Sequence, residues 1–206
     1  DFTATPSRWF QFIEEATCGD AELANYLSVV AGMMLFGEQR NHVMIMMKGI
    51  GRNGKSVYLD ALREIMGDYA VLGMPGLIVA SLEGARTVIV NELKDVPLDE
   101  GKIKRLNGGG NVTANKMHKD PTTFRATWTM ITDTNKTPVI VGTDEGIWGR
   151  VRLVPFLAHS PDGDPRQDKE LPGKLKAEAG AILAWQVRQC VTYLAHGLPD
   201  CEIVTS

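Results

Sequence analysis

Residues 43–66 restrict the possible fold more than any other stretch of the chain. An apolar run, Val43-Met44-Ile45-Met46-Met47, enters the glycine-rich segment Gly49-Ile50-Gly51-Arg52-Asn53-Gly54-Lys55-Ser56. A segment with Val57, Leu59, Leu62, Ile65 and Met66 apolar leaves it and stops at Gly67. The first run is far shorter than the ~20 residues of a membrane helix and ends in glycine, so it reads as a buried strand. The last segment has helical spacing with a glycine stop. Strand, tight turn and helix in that order form the repeating unit of a layered α/β fold with a parallel sheet.

The residue types in the turn define its chemistry. Gly49 to Ser56 fit G-x-x-x-x-G-K-[ST]. Glycines let the backbone curl so that successive N–H groups point at one anion, and the following helix adds the positive end of its dipole. In such a loop Lys55 reaches the terminal phosphates of a nucleoside triphosphate, and the Ser56 hydroxyl ligates Mg²⁺. Gly49, Gly51, Asn53 and Gly54 complete the cradle, with Asn53 suited to a left-handed turn conformation. The pattern alone arises by chance in unrelated chains. The strand before it and the helix after it make it informative, and ATP with Mg²⁺ becomes the expected ligand pair.

A triphosphatase also needs a carboxylate at the end of a neighbouring strand, to hold the metal through water or to polarise the attacking water. Thr87-Val88-Ile89-Val90-Asn91-Glu92 is an apolar run that delivers Glu92 to a strand's C-terminal end, where open α/β sheets bind ligands. Asn91 fills a position where many such enzymes carry a second acid. Asp95, Asp99 and Glu100 are weaker candidates on a polar connection. Further strands are expected over 128–132, ending in Asp133-Thr134-Asn135, and over 151–156. A short helix suits 98–106, the glycines at 108–110 break it, and weak alternation over 111–124 suggests a hairpin. One amphipathic helix is expected from 171 to 196. Ahead of the first strand, Trp9, Phe10 and Ile13 share a face, and Leu23, Leu27, Val30 and Met34 recur at helical spacing. These are two packing helices, the second capped by Asp20, with an oligomer collar as the sharper alternative.

Three later segments follow in order: Ile103-Lys104-Arg105-Leu106-Asn107-Gly108-Gly109, Met130-Ile131-Thr132-Asp133-Thr134-Asn135 and Ile147-Trp148-Gly149-Arg150-Val151-Arg152-Leu153-Val154-Pro155-Phe156. Together with the phosphate loop they closely resemble the superfamily 3 helicases, in particular the phage- and plasmid-type primase–helicase branch. The resemblance covers nearly the whole chain, including the surroundings of Trp9 and the helix around Trp185. It implies an AAA+-like P-loop NTPase core with a central parallel sheet over 41–206, preceded by a small helical segment over 1–40. It also implies a hexameric ring around single-stranded or forked DNA with ATP between subunits, and a possible primase domain in the same full-length protein. Asn135 would sense the terminal phosphate, and Arg150 would reach the neighbouring subunit's nucleotide, with Arg152 as the fallback. A hairpin before the third strand would grip DNA through Lys116, His118 and Lys119. Catalysis would then rest on Lys55, Glu92, Asn135 and Arg150, and the metal on Ser56 and Glu92.

The charge balance fits a motor of this kind. A net charge of −3 excludes a globally basic nucleic-acid coat, but a ring needs positive charge only along its channel. Cys18, Cys190 and Cys201 are widely spaced with no CxxC pair, which argues against a disulfide framework or a zinc site. No membrane partner is expected, and the expected location is the cytoplasm, that of a bacterial host if the protein is phage- or plasmid-encoded. Asp1 in place of a starting Met leads us to expect a fragment of a larger protein. Two other readings stay open: a P-loop kinase acting on a small molecule, and an AAA+ assembly ATPase without unwinding activity.

Overall fold

The structure, a computed structural model, describes residues 3–73, 82–91, 101, 107–114, 120–136, 149–161, 163–164 and 167–205. Its centre is a parallel sheet of five strands: β1 (Met44–Lys48), β2 (Ala70–Gly73), β3 (Thr87–Val90), β6 (Thr129–Thr134) and β7 (Val151–Pro155). They lie in the order β2-β3-β6-β1-β7, so β1 is interior and β6 separates it from β3. The strands β4 (Asn111–Ala114) and β5 (Thr122–Arg125) form the antiparallel hairpin expected over 111–124.

The alternation of strand side chains divides the interior into two layers. On one face Ile45 and Met47 of β1, Ile89 of β3, Ile131 of β6 and Val154 of β7 join a core built with helices. On the other face Met44, Met46, Val88, Met130 and Val151 pack with Trp128 and with Val112 of the hairpin. The unbroken apolar run of β1 is thus explained: both its faces are covered.

The helical face carries α1 (Ser7–Ala16), α2 (Ala21–Leu35), α3 (Lys55–Met66), α4 (Leu171–Ala177) and α5 (Ala179–His196). Asp20 caps α2 by accepting from the Leu23 amide at 3.0 Å. The two N-terminal helices share one core with α3 and α5. Trp9 stacks on Tyr58 with ring centroids 5.6 Å apart and meets Trp185 edge-on at the same separation. The buried Tyr58 hydroxyl donates to the Leu27 carbonyl at 2.7 Å, and burial holds its pKa above the ordinary tyrosine value. At the crossing of α2 and α5 a Cβ on Gly32 would lie 2.2 Å from the backbone of Gln189, so only glycine allows this approach.

Two features depart from the sequence reading. The helix expected from 171 to 196 is interrupted at Glu178, which ends α4 and begins α5. Its carboxylate accepts from the Arg8 amide at 3.0 Å and the Trp9 amide at 3.1 Å, satisfying the open N-terminal turn of α1. The edge strand β2, four residues with little alternation, has no sequence signal of its own. The expected helix over 98–106 lies outside the described residues except for Gly101, which is helical. Among the described residues no helix is long and apolar enough to cross a membrane.

Candidate functional site

The glycine-rich loop joins the C-terminal end of β1 to the first residue of α3, at the edge where open α/β sheets generally bind ligands. Gly51 (φ +96°) and Gly54 (φ +90°) supply the left-handed turns. Between them it is Arg52 (φ +51°), and not Asn53, that adopts the left-handed conformation. The Arg52 carbonyl accepts from the Ser160 amide at 3.0 Å, which helps to hold that residue in place. Asn53 serves the loop through its side chain instead. It is buried, and its Oδ1 lies 3.2 Å from the Lys55 ammonium and 3.4 Å from the Lys55 amide.

Lys55 is the centre of the site. Its Nζ donates to the Gly49 carbonyl at 2.6 Å, to Asn53 Oδ1 at 3.2 Å and to Asn135 Oδ1 at 3.2 Å. Burial lowers its pKa from the ordinary lysine value, and the nearby Asp133 carboxylate partly offsets this. Asn135 follows β6 and reaches Lys55 because β6 pairs directly with β1, Lys48 lying opposite Thr134. The Gly49 amide donates to the Thr134 carbonyl at 3.1 Å and fastens the loop's base to the same strand.

The loop meets the requirements of an anion cradle. Among the described residues, nothing accepts from the amides of Gly51, Asn53 or Gly54. The exposed Ser56 hydroxyl, on the first turn of α3, is likewise without a partner among them. Gly49 must lack a side chain, since its Cβ would fall 1.8 Å from Asn53 Nδ2.

The other expected site residues stand apart from the loop or outside the described residues. Arg150 precedes β7, and its carbonyl accepts from the Met44 amide at the N-terminal end of β1. The length of a five-residue strand, about 16 Å, therefore separates that end from the glycine-rich loop. One nitrogen of its guanidinium, Nη1, is buried and has no partner among the described residues. Arg152 turns back on its own backbone, donating to the carbonyls of Val151 at 2.9 Å and Gly149 at 3.1 Å. Glu92, Lys116, His118 and Lys119 lie outside the described residues, although Asn91 follows β3 at the same sheet edge as the loop.

The sequence reading did not anticipate a cavity of about 730 Å³ beside Asn53 and Gly54, between α1 and residues 158–160 and 167–172. No local pattern announces it, because its walls come from three separate parts of the chain.

A model of the family described as "Family of unknown function (DUF5906)" matches residues 47–150, half of the chain. A protein of Acanthamoeba polyphaga mimivirus provisionally named helicase L207/L206 is 25% identical over 90% of this chain and 22% of its own length. A protein of Invertebrate iridescent virus 6, provisionally named helicase 184R, is 27% identical over 66% of this chain and 16% of its own. An African swine fever virus protein provisionally named a primase is 27% identical over 67% of this chain and 16% of its own. The chain thus spans less than a quarter of the length of each of these viral relatives. Among solved structures, an apo form of the NrS-1 C-terminal region superposes with a TM-score of 0.73 at 12% identity. The match covers 90% of this chain and 47% of that one, and it places the two in one fold.

Proposed function

The chain belongs to the family of unknown function DUF5906, and from that premise we propose that it is the ATP-driven motor of a superfamily 3 DNA helicase, from a phage or plasmid replication protein. The observation that carries the reading is the gathering of Lys55, Asn53 and Asn135 at the ends of the paired strands β1 and β6, above a loop in which the amides of Gly51, Asn53 and Gly54 have no acceptor among the described residues. The sheet order adds support. Numbered by themselves, the five strands run 5-1-4-3-2, which fits the AAA+-like P-loop core that the resemblance implies.

In this reading the amides of Gly51, Asn53 and Gly54 hold the phosphates, and Lys55 turns from the Gly49 carbonyl and Asn135 to phosphate oxygens while Asn53 Oδ1 continues to orient it. Mg²⁺, when bound, neutralises the phosphate charge; Ser56 would hold it, with Glu92 acting through water. Asn135 is positioned to register whether the terminal phosphate has drawn Lys55 away. Arg150 stands too far from its own loop to serve it and is suited to the nucleotide of an adjacent subunit. There a guanidinium would meet the charge that develops on the transferred phosphoryl group. The helicase and primase names of the relatives support DNA as the partner and a primase domain elsewhere in the full-length protein. Lys116, His118 and Lys119 are the residues assigned to phosphate contacts, which suit a sequence-tolerant motor.

The test is a strand-displacement assay run beside ATP turnover with and without single-stranded DNA. DNA-stimulated turnover and unwinding, both abolished in Lys55→Ala, are expected. A monomer whose turnover ignores DNA and which phosphorylates a small molecule would sink the reading in favour of a kinase.

A further inference from the structure

The hairpin β4–β5 shares no ladder with the central sheet, so its direction is set where its two legs are rooted. Apolar contact holds it from below: Val112 is buried in the layer around Trp128, and the Phe124 ring meets that indole edge-on at 6.4 Å. Such contact is non-directional and by itself leaves the hairpin free to tilt. Direction comes from hydrogen bonds, and several of them converge on one side chain.

Gln39 lies half-buried in the connection between α2 and β1. Its Oε1 accepts from the amide of Gly109, just ahead of β4, at 3.0 Å. Its Nε2 donates to the carbonyl of Trp128, just beyond β5, at 2.5 Å. One planar amide therefore bridges both legs. The pairing also dictates the residue type, because one foot offers an N–H and the other a C=O. A carboxylate would lack the donor and an ammonium the acceptor. Around this bridge the feet are drawn together: the Ala126 amide donates to the Gly110 carbonyl at 3.0 Å, and His42 Nδ1 lies 3.2 Å from the Asn107 carbonyl. Gly109 (φ +63°) permits the approach, since a Cβ there would stand 3.1 Å from His42 Cε1 and 3.5 Å from Gln39 Cβ.

Resting on the DNA reading above, we infer that Gln39, a residue outside the hairpin, is a positioning residue for the hairpin's grip on single-stranded DNA. A four-residue strand such as β4 is an arm of about 13 Å, so a tilt of about 10° at the feet moves its far end by about 2 Å. A shift of that size breaks a phosphate contact made at the ordinary hydrogen-bond length of about 2.9 Å. With both feet tied by one amide, DNA meets a hairpin whose direction is already fixed, and binding gives up no freedom to align it.

The experiment compares the unaltered chain, Gln39→Met, the Lys116→Ala/Lys119→Ala variant and the combination of all three changes. Each is titrated with fluorescein-labelled oligo(dT) by anisotropy and with ATP, and its turnover is followed as DNA is added. Gln39→Met keeps the length and bulk of the side chain and loses both bonds. It is expected to weaken DNA binding about tenfold and to raise the DNA needed for half-maximal stimulation by the same factor. Maximal turnover and ATP affinity are expected to stay level. In the lysine variant the same change is expected to add nothing, because the contacts that Gln39 places are already gone. Gln39→Glu, which sets a carboxylate against the Trp128 carbonyl, is expected to lose at least as much and decides the matter if Gln39→Met does not fold. Unchanged DNA affinity in Gln39→Met overturns the inference, as does an equal loss in the lysine background. A parallel fall in ATP affinity does so too, since it marks a general structural role. Should the lysine variant bind DNA as the unaltered chain does, the hairpin reading falls and this inference falls with it. A loss in the lysine variant without one in Gln39→Met sinks this inference alone.

Discussion

Replacing Gly49 with alanine tests the arrangement that holds Lys55. The added methyl would lie 1.8 Å from Nδ2 and 3.0 Å from Cγ of Asn53, and 2.9 Å from the Phe156 carbonyl. Phe156 is anchored through its own amide, which donates to the Lys48 carbonyl at 2.7 Å, so the Asn53 side chain is the part that yields. Turning its amide away removes Oδ1 from the Lys55 ammonium at 3.2 Å and from the Lys55 amide at 3.4 Å. The first contact is charge-assisted and worth roughly 1.5–3 kcal/mol; the second is long and adds about 1 kcal/mol at most. A loss of about 2–4 kcal/mol felt entirely in the bound state weakens triphosphate binding by roughly 30- to 1000-fold. Whatever share is felt in the free protein appears instead as a lower Tm, by about 2–4 °C per kcal/mol for a domain of this size.

The assay is a double-mutant cycle of Gly49→Ala and Asn53→Ala, read by ATP titration and thermal melting. Both changes remove the same contact, so the double variant is expected to lose little more than either single one. Additive losses, or a Gly49→Ala chain that binds ATP as the unaltered one does, would refute the reasoning.

Three further outcomes are expected. Arg150→Ala is expected to cut turnover by about 10³-fold while ATP affinity in equilibrium titration stays level; a parallel loss of binding would place Arg150 at its own protomer's site. Replacing Lys116 and Lys119 together with alanine should weaken single-stranded DNA binding and reduce its log–log salt slope by about 1.4, with DNA-free ATP turnover retained. Unimpaired DNA affinity in that variant rules the hairpin out as the gripping element. Gly32→Ala forces α2 and α5 apart, because the new Cβ meets backbone atoms of Gln189 at 2.2 Å and Cys190 at 2.4 Å. We expect a cost of about 3 kcal/mol or more and a Tm lower by roughly 6 °C or more; a melt unchanged within a degree or two would contradict the packing described for that crossing.

The elements that could be read directly from the chain are those whose evidence is local. The strand at Met44–Lys48, the helix Lys55–Met66 with its Gly67 stop, and the Asp20 cap all follow from neighbouring residues. The break at Glu178 could not be read that way, because its reason is the open amides of Arg8 and Trp9, about 170 residues earlier. Asn53 was expected for its tolerance of a left-handed backbone, and its work turned out to be holding an ammonium group. The residue type was legible and the role was not, since a side chain's partner depends on what the fold sets beside it.

From its sequence alone this chain declares a strand, a phosphate-type loop and a helix in succession. That declaration is possible because glycine freedom, helix spacing and the Lys55–Ser56 pair all act within one turn of chain. Tertiary structure decides which strands lie next to β1, and with that which distant residue meets Lys55. It brings Asn135 to the loop, sets Arg150 at the far end of the sheet and encloses a cavity from three separated segments. These pairings arise from burying both faces of one parallel sheet, a constraint on the whole chain that no short window of sequence contains.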